Sequence, residues 1–313
     1  MNIAYVFPGQ GSQYVGMGKE LCREYPEAAV IYKKADEALG FPLSRLCFEG
    51  PREELNLTAN TQPAVLTTSL ACLKVLKSVT ELVPSAVAGH SLGEYTALVA
   101  AGSLMFGDAV RLVHKRGQYM QQAVPVGEGG MAAVLGLSGK QVIKACWEAS
   151  AAGVIEAVNL NCPGQVVVAG DTAGLKAVEP LLKEAGARRI VPLSVSAPFH
   201  SSLMVPAGRK LAHDLGQVVV ADPQIPVVAN VSADLVHTGQ EVSESLVKQV
   251  SSPVRWEESV LKMISLGVDT FIEVGPGKVL SGLVKKINRK VTVLNFADSS
   301  SLEKILALTR EVS

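Results

Sequence analysis

The run Ser85–Gly93 constrains the fold of this chain more than any other stretch. Ser85–Ala88 is short and apolar and reads as a strand. Gly89-His90-Ser91-Leu92-Gly93 matches G-x-S-x-G, and an alanine-rich segment follows to Ala101. A serine on a sharp strand-to-helix turn has strained backbone angles, and the flanking glycines leave room for the turn. Such a turn lifts the hydroxyl above the sheet and aims the next helix's first amides at developing negative charge. In a chain with 28 glycines the five-residue pattern alone is weakly specific, and an ordinary glycine turn is the bland alternative. The strand before it and the helix after it are what give it weight.

The rest of the chain extends this strand-and-helix alternation. Ile3–Phe7 is apolar, residues 8–18 are glycine-rich, and Lys19–Leu39 has helical periodicity. A helix is predicted over Leu66–Lys77, started by Thr61-Gln62-Pro63-Ala64, and another over Asp108–Ala123 that ends at the breaker cluster 124–130. Strands are then expected at Met131–Leu137, Ile155–Leu160, Val166–Ala169 and Ile190–Val195, with helices starting near Ser138 and Thr172. That β-α-β-β-α-β order marks a ferredoxin-like subdomain. Beyond it come a strand at Val227–Val231, helices at Val242–Val250 and Trp256–Leu266, a strand at Thr270–Val274 and a last helix after Gly275-Pro-Gly. The reading is an α/β fold: an α/β-hydrolase-like core with a mostly parallel sheet (1–126 and 197–313) and an inserted ferredoxin-like subdomain (127–196). A cleft between them is the default ligand site.

Composition excludes more than it assigns. The 313 residues carry 29 basic and 29 acidic side chains, so no global field points to nucleic acid or an anionic membrane. Five scattered cysteines (Cys22, Cys47, Cys72, Cys146, Cys162) form no C-x-x-C pair and no histidine cluster, which reads as reduced thiols and no metal site. The N-terminus lacks a basic stretch before a long apolar one, and the apolar runs are too short to span a bilayer. A cytoplasmic location and a monomer are expected.

A serine hydroxyl needs a base to become a nucleophile. Of five histidines, His90 adjoins Ser91 on a turn where neighbours point apart. His114 suits a packing role in a helix, and His213 and His237 have polar, solvated surroundings. His200 follows a predicted strand through a loop that can reach the cleft, and is the best candidate. No Asp or Glu is marked as its orienter, so a backbone carbonyl can serve. The glycine loop Phe7–Gln13 also follows a strand. It is not a dinucleotide fingerprint, because position 14 is Tyr where a third glycine is needed. Its amides can help form an anion hole, or it is a plain connection.

The motifs PGQGSQ (8–13), TQPA (61–64), GHSLGEY (89–95), Lys115-Arg116-Gly117, NCPGQVVVAG (161–170), APFH (197–200), QVSSPVRW (249–256) and EVGPGKVL (273–280) occur in this order. Together they resemble the malonyl-CoA:acyl carrier protein transacylases, acyltransferases of fatty acid and polyketide synthesis, from Phe7 to about Leu283. The resemblance implies that Ser91 is the acylated nucleophile and His200 its base. It implies that the amides of Gln10 and Leu92 form the oxyanion hole, and that the main-chain carbonyl of Gln249 holds the histidine. Arg116 matches the arginine that grips the malonyl carboxylate, a task suited to a planar guanidinium. Phe199 resembles the malonyl-selecting pattern, where serine accompanies methylmalonyl, and one methyl is worth about 1–3 kcal/mol in such a pocket.

The implied substrates are malonyl-CoA and the pantetheine thiol of acyl carrier protein, with no cofactor bound by the chain itself. An acidic carrier would seek a basic surface, for which Lys285-Lys286 with Arg289-Lys290, and Arg188-Arg189, are candidates. The rivals are a free-standing loader of a polyketide carrier, a serine esterase or thioesterase, and a non-catalytic docking module. An esterase would normally supply an acidic third member and has no need of Arg116. Intact Ser91 and His200 argue against the docking module.

Overall fold

The computed structural model describes residues 1–125, 127–193, 195 and 197–312, with side chains through residue 307. Among the described residues ten strands run in chain order: β1 (Ile3–Phe7), β2 (Ala86–Gly89), β3 (Gly129–Leu135), β4 (Ile155–Cys162), β5 (Gln165–Asp171), β6 (Arg189–Pro192), β7 (Val227–Val228), β8 (Leu235–Val236), β9 (Thr270–Val274) and β10 (Thr292–Phe296). They form a six-stranded sheet in the order β10-β9-β1-β2-β7-β8 and a four-stranded sheet in the order β4-β5-β3-β6. The larger sheet is parallel apart from the β7–β8 pair. Every residue of β1, β2 and β9 is buried, because helices cover both faces of the sheet and leave neither for water. The smaller sheet is antiparallel. With helices Gly139–Ala149 and Thr172–Glu184 it follows the β-α-β-β-α-β order read from the sequence. Of the expected limits of that subdomain, positions 126 and 196 lie outside the described residues.

The register decides where chemistry can occur. Phe7 pairs with Gly89 and Val6 with Glu273, so β1, β2 and β9 all end at one edge of the large sheet. The loops after them, 8–13, 90–92 and 275–278, therefore lie side by side, as ligand-binding loops of open α/β sheets do.

Local chemistry explains the departures from the sequence reading. The helix expected over Lys19–Leu39 is two, Lys19–Glu24 and Pro26–Leu39. The break falls at Tyr25 (φ −128°, ψ 111°), which Pro26 forces out of the helical region. The helix expected to begin near Leu66 begins at Thr58 and runs through Pro63 to Val79. Pro63 has no N–H for the carbonyl of Ala59, and His114 Nδ1 bonds that oxygen at 2.8 Å instead. A neighbouring helix thus satisfies the acceptor that the proline strands. Strands β8 and β10 and the helix Ser299–Val312 were not expected.

Candidate active site

Ser91 sits directly after β2 with φ 53°, in the left-handed region that non-glycine residues avoid. The glycines beside it are required by space. A Cβ on Gly89 would lie 1.9 Å from Gly93, and one on Gly93 would lie 2.1 Å from the Phe7 carbonyl oxygen. Helix Gly93–Ala100 therefore starts in direct contact with β1 and β2. Gly9 packs just as closely on the turn, since a Cβ there would meet His90 O at 2.4 Å. That contact brings the 8–13 loop against the serine turn, and Gln10 and Leu92 line the same cleft as Ser91. Neither of their amides has an acceptor among the described residues, so both are free to serve an oxyanion.

His200 has φ 65° and is buried. Its Nε2 lies 2.7 Å from Ser91 Oγ and its Nδ1 2.8 Å from the main-chain oxygen of Gln249. A carbonyl can only accept, so Nδ1 carries the proton and Nε2 is left as the acceptor that faces the serine. Burial, reinforced by the Arg116 charge, lowers the His200 pKa to about 3, so the ring is neutral at physiological pH. The pair can act without a carboxylate on the imidazole.

Arg116, from helix Phe106–Gln122, is only 2% exposed and yet has no ion pair among the described residues. Its Nη1 donates to Gln62 Oε1 at 2.6 Å, and its Nη2 donates to Ser91 Oγ at 3.1 Å and Gln249 Oε1 at 3.0 Å. The guanidinium carbon lies 5.6 Å from the centre of the Tyr95 ring, and Nε has no partner among the described residues. A permanent cation surrounded by neutral acceptors is poised for an anion brought by a ligand. The helix reaches this depth because Gly117 lets it touch helix Thr58–Val79. A Cβ on Gly117 would stand 2.7 Å from Thr58 O and Ala59 Cα.

The other histidines stay apart from the serine. His90 Nε2 bonds Asn161 Oδ1 at 2.8 Å, His114 is spent on Ala59, and His213 and His237 are exposed. Phe199 is buried and lines the cleft beside His200. The cleft is walled by Met131, Leu193 and Val195 of the smaller sheet region and by Gln62, Met120 and Arg116 of the larger body.

Three residues that hold this arrangement were missed in the sequence. Asn230 Oδ1 accepts from Ser91 N at 2.7 Å, and its Nδ2 donates to Gly89 O at 2.7 Å, closing the turn from β7's side. Glu94 is buried beneath the turn, where burial raises its pKa to about 7. Gln62 presents its carbonyl to Arg116. A polar residue just past the end of a parallel strand, as Asn230 is, was the available signal.

The basic pairs lie elsewhere. Helix Val279–Ile287 runs back from the edge that carries Ser91, and the chain re-enters the sheet at Thr292, paired with Thr270, the first residue of β9. Lys285, Lys286, Arg289 and Lys290 are thus at the opposite edge of the sheet. Arg189 opens β6, while Leu193, just past its other end, lines the cleft.

Comparison with known proteins gives a consistent result. The acyl transferase domain family matches residues 4–306. The malonyl CoA-acyl carrier protein transacylase of Bacillus subtilis (strain 168) is 50% identical over 310 residues, 99% of this chain and 98% of that one. The crystal structure of acyl-carrier-protein S-malonyltransferase from Burkholderia pseudomallei 1710b superposes with a TM-score of 0.96 at 49% identity, covering 98% of this chain and all (100%) of that one. A malonyl-transacylase in complex with its type II polyketide synthase acyl-carrier protein superposes with a TM-score of 0.95 at 42% identity, over 98% and 99% of the two chains.

Proposed function

The chain belongs to the acyl transferase family of malonyl CoA-acyl carrier protein transacylases, and we propose that it carries the malonyl group on Ser91. The overall reaction moves malonyl from malonyl-CoA to the pantetheine thiol of acyl carrier protein. In the first half, His200 Nε2 takes the proton of Ser91 Oγ as that oxygen attacks the thioester carbonyl. The amides of Gln10 and Leu92 hold the oxyanion, and collapse expels CoA, whose sulfur takes the proton back from His200. In the second half, the pantetheine thiol gives its proton to His200, attacks the malonyl ester, and Ser91 leaves reprotonated. A covalent intermediate makes the kinetics ping-pong.

The observation that carries this reading is the position of Ser91 Oγ, 2.7 Å from a neutral buried base and 3.1 Å from a buried cation with no anionic partner among the described residues. The cation gives the malonyl carboxylate a place that an uncharged acyl group cannot use. Phe199 limits space at the α-carbon, so methylmalonyl-CoA should be a poorer donor than malonyl-CoA in paired kinetics. The scheme needs no cofactor, because the thioester is already activated and the phosphopantetheine arrives on the carrier. A monomer is the reading, and the five free thiols fit the cytoplasm. The carrier is read as that of fatty acid synthesis. A polyketide carrier is the alternative, and loading rates on the two tell them apart.

The test is incubation with malonyl-CoA in the absence of carrier, followed by intact mass and peptide mapping. One malonyl group on the Ser91 peptide, absent from Ser91→Ala, is expected. A malonylated residue elsewhere would sink the assignment.

A further inference from the structure

Beneath the Ser91 turn lies a second set of polar groups that the reaction scheme does not use. The side-chain amide of Gln249 is fully buried and faces acceptors on one side only. Its Nε2 lies 2.9 Å from Glu94 Oε2, 3.0 Å from Ser91 O and 3.4 Å from Asn230 Oδ1. A flipped amide would set its oxygen against those three oxygens, so only one orientation is allowed. That orientation turns Oε1 toward Arg116, where it accepts from Nη2 at 3.0 Å. Glu94 Oε2 also accepts from Asn230 N at 2.9 Å, and Asn230 in turn holds the Ser91 amide. Burial lowers the Arg116 pKa, and Glu94, with one amide between them, is the carboxylate whose charge opposes that shift.

We propose that Glu94 and the side-chain amide of Gln249 form a positioning relay that fixes and balances Arg116, and so sets the preference for acyl groups that carry a carboxylate. This role is distinct from that of the Gln249 main-chain oxygen, which serves His200. The inference rests on the proposed function, because it concerns how that site selects malonyl. Nothing bound is needed to hold Arg116 in place. The relay pins one guanidinium nitrogen by a neutral oxygen and leaves the cation without a direct anionic partner until malonyl arrives.

The test compares kcat/KM for malonyl-CoA and acetyl-CoA in the wild type, Glu94→Ala, Glu94→Gln and Gln249→Leu, each checked for folding by its melting temperature. A wild type without a malonyl preference would sink the proposed function itself, whatever the variants do. Given that preference, Glu94→Ala and Gln249→Leu should each lower the malonyl-to-acetyl ratio at least about tenfold, mainly through the KM for malonyl-CoA. Glu94→Gln keeps an acceptor oxygen for both donors and should recover part of the ratio. Folded variants that lose both donors equally would overturn the relay, as would an unchanged ratio. Should Glu94→Ala fail to fold, Gln249→Leu decides the matter alone.

Discussion

Arg116 holds its charge inside the protein on neutral partners, and that determines what its loss does. Removing it takes from the Gln62 and Gln249 carbonyls the donors they face and deletes the proposed site for a malonyl carboxylate. Charge-assisted hydrogen bonds are worth about 1.5–3 kcal/mol, so Arg116→Ala should lower malonyl transfer by about 10–100-fold relative to acetyl transfer. Competition between the two CoA esters measures it, and an equal loss for both would remove the carboxylate role. Two buried groups nearby titrate in opposite senses. His200 has a folded pKa of about 3 against an ordinary 6.5, so its contribution to stability is present above pH 6.5 and is lost as pH falls toward 3. Glu94 has a folded value of about 7 against 4.5, so its contribution is present below pH 4.5 and is lost as pH rises toward 7. Between 4.5 and 6.5 the two slopes oppose each other. Glu94→Gln should therefore gain stability with rising pH across that window more steeply than the wild type, as read from urea midpoints. Parallel trends would contradict the assignment. At this scale the sequence displayed Ser91, His200 and Arg116 through their motifs. It concealed Glu94 and Asn230, because their importance lies in who faces them across 136 residues of chain.

At the scale of elements, the contact of helices Thr58–Val79 and Phe106–Gln122 places Arg116. Gly117→Ala would push a methyl into the backbone of Thr58 and Ala59, and such overpacking costs about 1–3 kcal/mol. The expected result is a lower urea midpoint together with a weaker malonyl preference, since the helix that moves is the one bearing Arg116. A lower midpoint with the preference intact would separate packing from positioning. The buried parallel strands β1 and β9 were legible to the residue, because continuous apolar runs between glycine loops have few other readings. The two-residue β7 and β8 were less so, since so short a strand has no period to detect. β10 lies at the sheet edge and is only partly buried, which blurs its pattern. Pro26 was visible in the sequence, and its effect on Tyr25 is the signal that should have divided the first long helix.

For the whole molecule, the sheet's polarity governs where a carrier can approach. Arg289 and Lys290 lie toward the end of the sheet where β9 and β10 begin, and two other members of the cluster are engaged, Lys285 with Val291 O at 2.7 Å and Lys286 with Gln165 Oε1 at 3.1 Å. Charge reversal at Arg289 and Lys290 should leave the KM for carrier protein unchanged in steady-state assays, and a several-fold rise would restore this face as a docking surface. The sequence supplied the charge clusters but not their side of the sheet, because that depends on strand order. The left-handed backbone at Ser91 has a consequence for how this protein responds to selection. A non-glycine residue held there costs about 1 kcal/mol or more, so Ser91→Gly should melt higher than the wild type while transferring nothing. A search for heat-resistant variants that never assays turnover would be drawn toward glycine at this position, breeding robust proteins that have lost their trade.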